Sequence, residues 1–251
     1  MDDEPRITRR RFLKSSATAV AFAGLGSTGA QPVAARTIDD PLDYKPEHVQ
    51  MYFDEEPFRS RIELYQPRLR TGHLDVEPEA QYAAYFKSAE SDLDVIAYWV
   101  WYPTQVGLSS LDSHAGDREP ILVFLDGDGS IDHISYSAWH YLIARDYAPD
   151  VDDETHPWLT VAKPHHHYFR NDAGSETGEY VPLDDFRDIV GPWYANGWSA
   201  DPSLVLDPWK TEYRESWWAP GAFGVSFLEQ QAQLSLFIAR VAPWREVTSD
   251  F

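Results

Sequence analysis

The sequence predicts a mainly β protein, a two-sheet β-sandwich with one or two helices at its margin. Three observations carry this expectation. Runs of strand length rich in β-branched and aromatic residues recur at 95–102, 121–125, 131–137 and 158–162. Gly, Pro, Asp and Asn punctuate the intervals between them, as turns require. Helical spacing is sustained late in the chain only at 227–241, through Phe227, Leu228, Gln231, Leu234, Phe237, Ile238 and Val241.

Taken in order, residues 1–35 read as an export signal. Thr8, Arg9, Arg10, Arg11, Phe12, Leu13 and Lys14 fill every position of the twin-arginine pattern, with Arg9 and Arg10 as the paired arginines. A weakly apolar stretch follows from 17 to 30, and Val33-Ala34-Ala35 offers a small-residue cleavage site. The alternative is a basic-headed amphipathic or spanning helix. Against it, the run is short and rich in Gly, Ser and Thr, whereas a span needs about 20 apolar residues. The expectation is a chain exported through the twin-arginine translocase to the cell surface or exterior, with no transmembrane segment in its mature part.

Residues 36–60 are acidic and proline-punctuated and are expected to form an extended lead-in. A single β-rich domain is expected over 61–251, with a loop-rich extension from about 173. Within it, Ile62 to Tyr65 alternates as a strand does, and 77–87 reads as a short helix started by Pro78. The clearest hairpin is 121–125 and 131–137 around Asp126-Gly127-Asp128-Gly129-Ser130. That turn and Asp132 carry oxygen ligands at alternate positions, as calcium loops do, but lack the glycine and glutamate such a loop needs, so an acidic hairpin turn is the expectation. Residues 173–203 read as loop. The aromatics Trp193, Tyr194, Trp198, Trp209, Tyr213, Trp217 and Trp218 are expected to be buried there, the alternative being an exposed stacking surface.

Charge narrows the function. Removing the five basic and three acidic residues of 1–35 from the chain's 21 and 41 leaves 16 and 38, a net charge of −22 over 216 residues. Such self-repulsion raises the free energy of the compact state unless salt screens it. The chain has five Lys against 16 Arg, the balance expected of a salt-loving archaeon; an ordinary acidic protein or a calcium-loaded one is the alternative. No clustered basic patch is available to neutralise phosphates, which argues against nucleic acid as a partner. With no cysteine, disulfides and thiolate metal sites are excluded.

The segment richest in potential chemistry is Ser113-His114-Ala115-Gly116-Asp117-Arg118-Glu119. On a strand, the spacing of Asp117 and Glu119 puts both carboxylates on one face, and His114 in a preceding loop can fold back to meet them. Two carboxylates and an imidazole suit a divalent cation such as Mg²⁺, Ca²⁺ or Mn²⁺. A plain surface pair of Arg118 and Glu119 at a strand start is the alternative. His165 and His167 would also face together on a strand, and with His140 they could approach the same pocket, making Zn²⁺ the expected ion. Otherwise they pack on Tyr168 and Trp158 at a strand end capped by Pro164.

Tyr98-Trp-Val-Trp-Tyr102-Pro, then His114-Ala-Gly-Asp117-Arg-Glu119, then Ile134-Ser-Tyr136-Ser137-Ala-Trp-His140, then Val161-Ala162 with His165-His-His167-Tyr168 follow an order that resembles the necrosis-inducing (Nep1-like) proteins and the related vacuolar protein sorting 62-like domains. The resemblance covers roughly 62–170. It implies a β-sandwich with His114, Asp117 and Glu119 lining a divalent-cation pocket, and a ligand that is a lipid or sugar head group. Arg118 stands where the family motif has tryptophan. Asp112 and Ser113 replace a glycine and a histidine ahead of it, and Asp112 could substitute for an aspartate that the family places after its first strand.

Three readings follow: an exported divalent-cation-binding module for a polar head group or glycan; a metal-dependent hydrolase in which Glu119 or one of His165 to His167 moves the proton; and a cell-envelope protein without a site. The charge balance itself predicts that the melting temperature of residues 36–251 falls as salt is lowered from about 1 M, where the Debye length is about 3 Å, toward 0.1 M, where it is about 10 Å. Thermal denaturation across a KCl series measures this.

Overall fold

A computed structural model of the chain describes residues 40–106, 114–139, 142–170, 178–195, 207–209 and 225–226. Two sheets organise them. In the larger, β1 (Val49–Tyr52), β3 (Ala80–Ser88), β4 (Asp94–Gln105), β5 (His114–Leu125), β6 (Ile131–Trp139), β7 (Leu142–Asp146) and β12 (Val225–Ser226) lie side by side in that order, and β11 (Leu183–Asp185) also pairs with β3. In the smaller, β10 (Tyr168–Arg170), β9 (His156–Val161) and β2 (Arg68–Arg70) are neighbours, with β8 (Val151–Asp152) on β9. Helices α1 (Phe58–Leu64) and α2 (Arg187–Trp193) and a 3₁₀ turn at Pro41–Tyr44 complete the described elements. The mainly β, two-sheet expectation holds. Among the described residues no helix is long and apolar enough to cross a membrane.

Alternation builds two cores on one sheet. Ile96, Tyr98, Val100 and Tyr102 of β4, Ile121, Val123 and Leu125 of β5, and Ile134 and Tyr136 of β6 pack against Leu69, Leu159, Val161 and Tyr168 of the smaller sheet. The intervening residues Val95, Ala97, Trp99, Leu122 and Phe124 face the other way and pack against Phe186, Ile189, Val190, Trp193 and Trp209. A strand buried on both faces reads as a continuous apolar run, which is why the segments at β4 and the C-terminal half of β5 were legible as strands.

The same two-sided burial corrects the reading of 77–87. That segment is β3, not a helix: Ala83 and Tyr85 enter the inner core while Ala84 and Phe86 enter the outer one, so apolar residues on both sides mimic helical spacing. Conversely, Ile62 to Tyr65 ends a helix and is not a strand. α1 buries Ile62 alone among its residues, Tyr65 caps it, and Leu64 is 47% exposed. A helix offering so little apolar surface shows no 3.6-residue period. The supposed lead-in at 36–60 contributes β1, whose pairing Val49↔Ser88 to Tyr52↔Tyr85 makes it part of the sheet, together with the 3₁₀ turn and the start of α1. Four residues carry too short a pattern to announce a strand.

Residues 173–203, expected as loop, contain β11 and α2. Phe186, Ile189, Val190 and Trp193 follow the i, i+3, i+4, i+7 rule; Gly191 and Pro192 within the helix masked it. Trp193 and Trp209 are buried, as expected of the tryptophan-rich stretch. Trp198, Tyr213, Trp217, Trp218 and the helical pattern at 227–241 lie outside the described residues. The Asp/Gly turn is an acidic hairpin turn: Asp126 N–H donates to the Ser130 carbonyl and Gly129 N–H to that of Asp126, both at 2.9 Å.

The sheets are also joined by charge. Asp146 of β7 is 5% exposed and accepts from Nη2 of Arg170 on β10 at 2.8 Å, with Arg170 Nε 2.8 Å from its second oxygen. Removing one partner of a buried pair strands the other. Asp146→Asn is therefore expected to destabilise by about 2–3 kcal/mol, less than for a fully buried pair because Arg170 is a quarter exposed. Denaturant unfolding in molar salt reads the change.

Candidate functional site

β5 is polar in its first half, His114 to Glu119, and apolar in its second. Its ladder with β4 sets Glu119 against Val100 and Asp117 against Tyr102, both inner-core residues. The two carboxylates thus continue the column of Ile121, Val123 and Leu125 and face the smaller sheet, 7% and 8% exposed. One face for both is what their spacing predicts.

The loop joining β9 to β10 meets them. Ala162 N–H donates to the His167 carbonyl at 2.7 Å and His166 N–H to that of Ala162 at 3.0 Å, folding 162–167 into a tight turn with His166 at φ +56°. His165, His166 and His167 are all buried there. The histidines therefore sit in a hairpin loop and not on a strand, so strand alternation does not govern them. His166, which alternation would have turned away, pairs with an acid: its Nδ1 lies 2.9 Å from Asp117 Oδ2, and its ring stacks on Tyr102 at 3.9 Å and 3°. His167 Nδ1 lies 3.9 Å from Glu119 Oε1 and 3.5 Å from Ser137 Oγ. The His165 and His167 rings stack at 5.8 Å. Tyr168 Oη donates to the Glu119 carbonyl at 3.3 Å, and His73 Nε2 lies 2.7 Å from the Val161 carbonyl at the root of the loop.

Tyr102, Ser137 and Tyr168 enter the sequence reading only as motif or packing residues, and His73 not at all. Tyr102 becomes readable only once the β4–β5 register places it opposite Asp117. His114 heads β5 itself and does not fold back from a preceding loop; its side chain, and Asp112, His140, Arg9 and Arg10, lie outside the described residues.

The electrostatics are demanding. Burial first, and the Asp117 charge second, push the Glu119 carboxyl well above the usual carboxylate range, with the Ser137 hydroxyl opposing. Burial likewise pushes the Tyr102 and Tyr168 phenols up. The donor set, two carboxylates and imidazoles without thiolate, fits a hard or borderline divalent cation, whose charge would offset the repulsion between the acids. Among the described residues no three acidic or imidazole side chains converge as a complete metal cluster. Asp117 and Glu119 are the two described carboxylates that such a site would use, and its further donors would have to come from His114, Asp112, His140, water or a ligand.

Arg118, between the two acids, points to the opposite face. Its guanidinium lies over the rings of Trp101 and Trp193, at 4.6 and 5.1 Å, and burial lowers its pKa to about 10 against the pull of Asp117 and Tyr82. Gly116 makes room for this arrangement: at φ +72°, a Cβ there would come within 2.6 Å of the Trp101 ring. The alternative of a surface pair between Arg118 and Glu119 does not form, because alternation sends the two side chains to opposite faces.

No family model matches the chain, and no curated protein matches it. Among solved structures it is similar to NLPPya in complex with mannosamine, at 14% identity and a TM-score of 0.43, covering 55% of this chain and 78% of that one. It is likewise similar to NLPPya in complex with glucosamine, at 14% identity and 0.41 over 54% and 77%. A structure described as a toxin fold for microbial attack and plant defense gives 14% identity and 0.40 over 51% and 72%.

The raised Glu119 carboxyl fixes a pH dependence. Below its unfolded value of 4.5 the group is protonated in both states; as pH rises toward its folded value the folded chain must keep or lose a proton at a cost, and stability falls. With divalent ions chelated, Glu119→Gln is expected to melt above the wild type at pH 8 and to match it near pH 4, each kcal/mol corresponding to about 2–4 °C. Calorimetry in molar KCl with EDTA checks it.

Proposed function

We propose that this chain is an exported, salt-adapted binding module that holds one divalent cation at Asp117 and Glu119 and engages a polar head group or glycan there. The observation that carries the reading is the burial of two carboxylates side by side on the inner face of β5, with Glu119 driven toward its neutral form. Two carboxylates so placed are costly to ionise together even with His166 and His167 beside them, and a cation would convert the cost into affinity. His114 at the head of the strand, with Asp112 and His140, would complete the shell. Mg²⁺, Ca²⁺ or Mn²⁺ suits the carboxylates; Zn²⁺ becomes the choice if His165 or His167 joins.

The described side chains divide the work. His166 donates to and orients the Asp117 carboxylate, Ser137 supports Glu119, and the Tyr102 ring fixes the His166 plane. When bound, the ion supplies positive charge and open positions for ligand oxygens. The motif order across 62–170 supports a lipid or sugar head group as that ligand. Residues 8–14 support export by the twin-arginine translocase to the cell surface or exterior, and the net charge of −20 supports a briny medium. A hydrolase reading draws on the same raised carboxyl beside His167; turnover of phosphate, ester or glycoside probes that stops on chelation selects it.

Metal analysis of the exported protein in molar salt is expected to find about one divalent ion per chain, weakened about tenfold or more in Asp117→Asn and Glu119→Gln, as loss of a charged ligand implies. Affinity should fall on acidification, starting above the usual carboxylate range because protons compete for Glu119. Substoichiometric metal unaffected by either substitution overturns the cation site.

A further inference from the structure

On the outer face of the same strand, we infer that Arg118, framed by Trp101 and Trp193, is a binding site for an oxyanion, the carboxylate or sulfate of a small ligand. The inference is independent of the cation site, which lies on the inner face. It starts from an accounting of positive charge. Among the described residues Arg59, Arg61, Arg68, Arg170 and Arg187 each reach a carboxylate. Arg118, like Arg145, reaches none, in a chain with 41 acidic residues against 21 basic ones. Asp117 is its sequence neighbour, but that carboxylate faces inward onto His166.

The environment of Arg118 is desolvated without being neutralised. Its Nε is buried and has no hydrogen-bond partner, and the guanidinium rests on two indole rings. Cation–π contact holds and orients the group, yet indole faces accept none of its in-plane hydrogen bonds. A partly desolvated guanidinium whose Nε is unpaired suits the planar partner that carboxylate and sulfate provide. The scaffold is rigid: Trp101 stands opposite Arg118 in the β4–β5 ladder, Gly116 admits its ring, and Trp193 is fixed in the outer core beside Trp99.

The test titrates the full exported chain with sodium sulfate and with galacturonate, galactose serving as neutral control, followed by ligand-observed NMR with EDTA present so that the cation site does not contribute. Binding of sulfate or galacturonate, absence of galactose binding, and a loss of roughly tenfold or more in Arg118→Gln with partial retention in Arg118→Lys are expected. Galacturonate well above sulfate assigns an acidic sugar; equal affinity assigns a free anion. Arg118→Gln should melt no lower than the wild type without ligand, since it removes an unpaired charge. Binding unchanged in Arg118→Gln, or no binding of either anion to the wild type, overturns the inference.

Discussion

The antiparallel ladder between β4 and β5 is the constraint on which the rest of the molecule depends. It runs without a register shift from Asp94↔Leu125 to Gln105↔His114, and it fixes which way every side chain of β5 points. A slip of one residue would send Asp117 and Glu119 to the outer layer and Arg118 into the inner core, exchanging the two faces entirely. The aromatic pairs across it, Tyr98 with Ile121 and Tyr102 with Asp117, lie at the wall of the inner core, where a mispaired strand would leave cavities. Packing energy thereby enforces an electrostatic arrangement that the charges alone would not choose.

Charge acts on two length scales here. Over the whole surface, excess carboxylate is diffuse and yields to screening. At Asp117 and Glu119 the same chemistry is buried, where mobile salt does little and neighbouring imidazoles or a proton relieve it. Arg118 is the reverse case, a cation withdrawn from water in a chain otherwise dominated by acids. Alternation along one strand keeps these three demands within a few residues of each other without letting them cancel.

Legibility in the sequence followed the number of faces a segment buries and the length of its pattern. β4 and the C-terminal half of β5 are apolar runs, β6 alternates apolar with polar residues and β9 carries Trp158 to Val161, so all four could be read directly. β3 is equally buried on both sides but begins with alanines and a glutamine, and its mixed composition imitated a helix. α2 carried a correct helical spacing that Gly191 and Pro192 disguised. At the site, the shared face of Asp117 and Glu119 follows from strand geometry alone. The role of His166 does not, because it depends on a loop backbone with positive φ that no periodicity encodes, and the involvement of Tyr102 depends on a pairing between strands that composition leaves open.

The outer edge of β3 is closed in two pieces, β1 running antiparallel along Tyr85 to Ser88 and β11 running parallel along Gln81 to Ala83. These pieces lie some 130 residues apart in the chain, so the edge is sealed only after both distant segments have arrived. Until then β3 presents unpaired amide and carbonyl groups beside an apolar surface, the combination that invites strands from other molecules. A chain that completes its folding before crossing a membrane would pass this vulnerable stage inside the cell, where the later of the two segments can still reach the earlier.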